Sequence, residues 1–200
     1  MKKILVIGAT GLIGASVVNA LRGKAEVVEA SHSSSANKVD MTVPASLKAL
    51  FEKIGPVDAI VCAAGEAKFA PVDKATEQDW ATSVNGKLMG QVNVVRFGAP
   101  FVREGGSITL VSGVLAHHPI PGSSVVSTVN AAVEAFAVAC AVELGEKVRV
   151  NVVSPGWVTE TLAAMGMDTA PGIPAAGVAE FFVRQIDTGA GGSVLVAAKA

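Results

Sequence analysis

The first twenty-one residues restrict the fold more than any other stretch of this chain. Lys3 to Ile7 is a short apolar run typical of a buried strand, and Ile13 to Leu21 carries apolar residues at helical spacing. Between them lies Gly8-Ala9-Thr10-Gly11-Leu12-Ile13-Gly14. Gly8 permits a tight turn, Gly11 lets backbone N–H groups approach a pyrophosphate, and Gly14 lets the helix pack close to the sheet. The positive end of the helix favours an anion at the same place. Glycines alone mean little. Set between a strand and a helix, they predict that Gly8, Thr10, Gly11, Leu12, Ile13 and Gly14 hold a dinucleotide.

Strand and helix patterns then alternate to the end of the chain. Strands are expected at Glu26–Ala30, Asp40–Thr42, Val57–Ala63, Ser107–Val111, Val148–Val153 and Ser193–Ala197. Helices are expected at Pro44–Ile54, at Thr76–Phe97 as one long or two abutting segments, at Ser127–Leu144 and at Ala175–Ile186. Near-continuous Val/Ile runs suit strands buried on both faces, and alternation with helices specifies parallel pairing. The expectation is an α/β chain, residues 1–200 forming a single Rossmann-like domain with a doubly wound, mostly parallel seven-stranded sheet flanked by helices. Only about eight residues separate the second and third strands, too few for a crossover helix.

Half of the 200 residues are hydrophobic and 16% are charged, which implies a large interior or an oligomer interface. The Ala/Val-rich segment Ser127–Leu144 would leave a wide apolar face on a monomer, so a homodimer or homotetramer is expected, with Glu134 and Glu143 on its wet edge. A net charge of −1 offers no electrostatic reason for nucleic acid or an anionic membrane as partner. No uninterrupted apolar stretch reaches the ~20 residues a membrane helix needs, and the opening run breaks into glycines too early for a signal peptide. The expected location is cytoplasmic. Cys62 and Cys140 read as buried thiols, with no metal-ligand spacing. The chain contains no tyrosine.

Nucleotide choice is read after the second strand, where a carboxylate favours NAD and small polar or basic groups accept a 2′-phosphate. Here the chain reads Glu29-Ala30-Ser31-His32-Ser33-Ser34, with Lys38 nearby. Ser31, His32 and Ser33 therefore favour NADP(H) over NAD(H), with Glu29 the opposing signal.

Further along stand Asp40-Met41, Ala63-Ala64-Gly65, Trp80, Pro155-Gly156-Trp157-Val158 and Gly189 to Val196. In this order, behind the glycine turn, they resemble the short-chain dehydrogenase/reductase family over nearly the whole chain. The resemblance implies that Asp40 and Met41 lie by the adenine and Ala63, Ala64 and Gly65 beside the adenosine ribose. It places Pro155, Gly156 and Val158 by the nicotinamide, with Glu160 where the family supplies a threonine, flanked by Thr159 and Thr161. The segment Leu162 to Pro174 would be the substrate loop.

The same resemblance implies a Ser-Tyr-Lys-Asn tetrad, and all four positions have changed. Ala131-Ala132-Val133-Glu134-Ala135-Phe136 matches the segment after the family's lysine, which puts Asn130 at that place. Val126 stands for the tyrosine, Gly113 for the serine with Ser112 beside it, and Lys87 for the asparagine. Valine transfers no proton. Lys87, Ser112, Asn130 and His118, the last in the loop after the fifth strand next to His117, are the remaining candidates. A desolvated Lys87 would make a general acid; alternatively it holds a backbone carbonyl or the ribose. Two functions of different class follow. One is NADP(H)-dependent hydride transfer to or from a small carbonyl or imine compound with a non-standard proton donor. The other is a non-catalytic NADP(H)-binding sensor or partner-binding module. A nucleotide-sugar epimerase or dehydratase would need a larger substrate region than this chain has room for.

Overall fold

The computed structural model describes residues 1–188 and 190–199. Seven strands form one sheet: β1 (Lys3–Ile7), β2 (Glu26–Ser31), β3 (Asn37–Lys38), β4 (Val57–Cys62), β5 (Val102–Val111), β6 (Val148–Pro155) and β7 (Val194–Ala197). Every pairing is parallel, in the order β3-β2-β1-β4-β5-β6-β7, so the expected sheet is parallel throughout. The order reverses between β1 and β4, and a crevice opens there at the carboxyl ends of the strands.

The helices are α1 (Leu12–Leu21), α2 (Pro44–Ile54), α3 (Glu77–Ser83), α4 (Gly90–Gly98), α5 (Ser124–Leu144), α6 (Thr159–Ala164) and α7 (Ala175–Asp187). On one face of the sheet, Leu47, Phe51, Val94, Val95, Val133 and Ala137 pack on Leu5, Ile60, Ile108 and Val150. On the other, Val17, Val18, Leu21, Val178 and Phe182 pack on Ile4, Val6, Val61 and Val153. The Val/Ile-rich strands are thus covered on both sides, which is why they show no polar alternation.

Three expectations need correction. The third strand is Asn37–Lys38, where Ala30 and Ser31 find partners, and not Asp40–Thr42. Asp40 instead closes a turn: its carboxylate accepts the N–H and hydroxyl of Thr42 at 2.9 and 2.7 Å, a local bond that competes with strand pairing. Residues 32–36 join β2 to β3 with no helix, as their number requires. Secondly, α5 begins at Ser124 and is long and apolar enough on length and composition to cross a bilayer. It lies instead on the sheet, burying Val125, Val126, Val129, Val133 and Ala137. Thirdly, Glu134 is not on the wet edge of α5; it is 6% exposed, whereas Glu143 is exposed. Gly189 lies outside the described residues.

The predicted helix at 76–97 forms as two helices joined by a π-helical segment, Val84–Met89. Thr76 caps α3 in a reciprocal pair with Asp79. A π segment widens the backbone by one residue per turn and re-aims side chains, which is how such bulges come to serve sites. The residue it turns inward is Lys87.

Candidate active site

The glycine turn sits at the switch point between β1 and β4. Gly8 has φ +84°, and a Cβ there would lie 2.8 Å from the Ala63 carbonyl oxygen. A Cβ on Gly14 would meet the Gly8 carbonyl oxygen at 1.9 Å, so the first turn of α1 can approach the loop only with glycine at this place. Gly11 is the N-cap of α1 and supplies no capping side chain. The first N–H groups of the helix therefore face outward for an anion, the arrangement a pyrophosphate requires.

Two cavities extend from the turn. One, of about 320 Å³, is lined by Gly8, Ser31, His32, Asp40, Met41, Ala64 and Gly65 among others. Its His32 Nε2 stands 3.8 Å from an Asp40 carboxylate oxygen. Hydrogen bonding from Thr42 holds the Asp40 carboxyl below its usual range against a smaller opposing effect of burial. Ser33 is exposed, with its hydroxyl 3.1 Å from that of Ser34, and Glu29 is exposed too.

The second cavity, of about 370 Å³, shares Ala64 and Gly65 with the first and is lined further by Ile13, Ala63, Pro155, Gly156 and Val158. It brings together Lys87, Gly113, Val126 and Asn130, the four positions where the tetrad is altered, with Ser112 beside them. Thr10 and Leu12 lie exposed on the turn and line neither cavity. His118 is exposed and lines neither. Glu160 points elsewhere: its carboxylate accepts the N–H of Ala175 at 3.0 Å and caps α7, while Thr161 reaches the cavity wall.

Lys87 is 8% exposed, and its Nζ donates to the Ser112 carbonyl oxygen at 3.0 Å. Burial lowers its pKa to about 8 from 10.5. Gly65 makes room for its stem, since a Cβ there would fall 2.9 Å from Lys87 Cγ. One turn on, the fully buried Gln91 clamps the end of β5, giving its amide to Val111 O and accepting from Val111 N, both at 2.8 Å. Ser112 is held at all three polar atoms. Its N–H donates to Val153 O at 3.0 Å, its carbonyl accepts from Lys87, and its hydroxyl donates to Glu134 Oε1 at 2.6 Å.

Asn130 explains Gly113. A Cβ on residue 113 would lie 3.0 Å from Asn130 Nδ2, so the asparagine amide fills space that a larger residue at 113 would need. The two changes belong together. Asn130 Oδ1 is buried without a hydrogen-bond partner among the described residues. An orphaned acceptor costs roughly 1–3 kcal/mol unless something donates to it. A sugar hydroxyl in the adjoining cavity is a suitable donor, so the residues present fit a nicotinamide dinucleotide laid from the serine-rich end to this one.

Glu134, which sequence reasoning had placed in water, is the neighbour of Ser112 that it missed, and His117, noted there beside His118, is the partner of Glu134. His117 Nε2 is 2.6 Å from Glu134 Oε2. The available signal was helical spacing, because Val126, Asn130 and Glu134 fall four apart on one face of α5.

A parallel sheet with an uncapped glycine turn at its switch point, and beyond it a mainly apolar cavity with Lys87, Ser112 and Asn130 in its wall, defines a dinucleotide-binding fold. A family model described as enoyl-(acyl carrier protein) reductase matches residues 9–189, and the chain belongs to the short-chain dehydrogenase/reductase family. It is 28% identical over 202 aligned residues, 87% of its length and 82% of the other's, to an uncharacterized oxidoreductase of Methylorubrum extorquens. It is 31% identical over 139 residues to a hydroxynaphthalene reductase-like protein of Metarhizium guizhouense, spanning only 52% of that protein. Among solved structures, a protein of Listeria innocua superposes with a TM-score of 0.93 at 35% identity, covering 98% of this chain and 99% of that one. A small-chain dehydrogenase in complex with NADPH superposes with a TM-score of 0.88 at 27% identity, over 98% and 95%.

Proposed function

We propose that this protein is an NADP(H)-dependent oxidoreductase that moves hydride to or from a small carbonyl or imine compound and handles the accompanying proton without tyrosine. The observation that carries the reading is the second cavity. It lies at the end of an intact dinucleotide track and gathers Lys87, Ser112 and Asn130 beside apolar Phe69, Leu115 and Trp157. Bound there, the nicotinamide supplies the hydride chemistry. The chain's own groups bind and orient: the α1 N-terminus takes the pyrophosphate, Asn130 Oδ1 accepts from the ribose, and Lys87 fixes the Ser112 peptide. The choice of NADP(H) rests on Ser31 and His32 in the wall of the first cavity with Ser33 beside them, where a 2′-phosphate finds donors and Glu29 does not reach, His32 standing between it and the Asp40 carboxylate 3.8 Å away. The NADPH complex of the similar dehydrogenase supports it.

The assembly proposed is a homodimer or homotetramer in the cytoplasm. A groove of about 600 Å³ between α4 and α5 is lined by Val95, Phe136, Cys140 and Leu144, and on the outward side of α5 Val138 and Val142 are 44% and 82% exposed. A second copy would cover this apolar surface. The function is tested by NADPH oxidation across ketones, aldehydes, quinones and cyclic imines. Turnover well above buffer is expected. A protein that binds NADPH tightly and turns over none of the panel would overturn the reading in favour of a sensor.

A further inference from the structure

Behind the wall of the second cavity runs a chain of short hydrogen bonds that reaches the surface. Ser112 lines the cavity and is 5% exposed. Its hydroxyl donates to Glu134 Oε1 at 2.6 Å. The other carboxyl oxygen of Glu134 is 2.6 Å from His117 Nε2, and the His117 side chain is 58% exposed to solvent. A carboxylate buried to this degree is costly unless both oxygens are engaged, and here one faces inward and one outward. Lys87 faces the same serine from the other side but meets its carbonyl, so it leaves the hydroxyl to Glu134.

Resting on the oxidoreductase reading above, we propose that Ser112 is the catalytic hydroxyl of this cavity and that Glu134, joined to His117, is the positioning residue that takes and returns its proton. The single proton of Ser112 is committed to Glu134, so its lone pairs remain for a substrate hydroxyl. In alcohol oxidation, the substrate O–H bond breaks toward Ser112 Oγ and the Ser112 O–H bond breaks toward Glu134 Oε1. The hydride of the carbinol carbon would be taken up by the oxidised nicotinamide, the chemistry that cofactor supplies when bound. Serine ends unchanged, Glu134 ends protonated, and His117 exchanges that proton with water. Carbonyl reduction runs the same path backward, ending with the proton on the new alcohol.

The test compares two electrophiles. A ketone needs both hydride and proton, whereas an N-alkyl iminium cation becomes a neutral amine on gaining hydride alone. Ser112→Ala and Glu134→Gln are each expected to lower kcat for the ketone at least tenfold. The loss should not extend to iminium reduction, and NADPH affinity by fluorescence titration should stay within threefold. Glu134→Asp, which keeps a carboxylate, should recover part of the ketone rate. Equal losses on both electrophiles would mean a purely structural role and overturn the proposal. Ketone rates within threefold of wild type in both variants would overturn it as well and leave Lys87 as the donor. A wild-type protein that reduces neither electrophile refutes the oxidoreductase reading itself, an outcome distinct from both.

Discussion

Replacing Lys87 with methionine should change how stability depends on pH. The ammonium is 8% exposed and donates to the Ser112 carbonyl oxygen, and burial drops its pKa to about 8 from 10.5. A lysine whose folded-state value lies below its unfolded value binds more protons when unfolded, so unfolding becomes harder as pH rises through the folded value. Below about pH 7 both states are charged and the slope vanishes; well above 10.5 both are neutral and it vanishes again. Between pH 7 and pH 9.5 the wild type should gain about 2 kcal/mol relative to Lys87→Met, from the ratio of proton-binding polynomials at the two values. Cys62, which lies near enough to interact, is pushed up to about 12 by burial and stays neutral across this window. Urea unfolding of cofactor-free protein at the two pH values measures the effect, and subtracting the variant removes every other titration. Parallel curves for the two proteins would refute the reasoning, because they would mean that water reaches the ammonium and that it is no candidate for proton chemistry at neutral pH.

Gly113→Ala should lower stability by about 1–3 kcal/mol, because its Cβ would sit 3.0 Å from Asn130 Nδ2 in a packed wall. The double variant Gly113→Ala/Asn130→Ala should recover most of the loss in thermal unfolding, whereas simple additivity would show that the two positions do not share space. Placing glutamate at both Val138 and Val142, on the outward side of α5, should convert an oligomer to monomer in light scattering. An unchanged mass would show that this surface is not the interface.

Much of the fold was legible because it is encoded in short range. A five-residue apolar run, glycines at 8, 11 and 14, and alternation of the two periodicities need only neighbours along the chain. The short β2–β3 link was equally plain, since chain length limits what can cross. The third strand was misplaced because Asp40-Met41-Thr42 has strand-like composition while the Asp40 carboxylate binds its own backbone two residues on. Lys87 was found by its distance from Trp80, but spacing could not reveal the π segment that turns it inward.

By itself, then, the sequence determined the layered α/β architecture, the turn that cradles a dinucleotide, and the loss of tyrosine from the proton-transfer position. These depend on local geometry and on residue identity. Tertiary structure alone decided which polar groups gather beside that position. Ser112 and Glu134 are 22 residues apart and Lys87 and Ser112 are 25 apart. They meet only because the register of β4, β5 and β6 and the seating of α5 on the sheet bring their ends to one crevice. For the same reason Glu134, which as one of the few charges on an apolar segment was assigned to water, lies in the interior: a helix has a wet side only once its neighbours are in place.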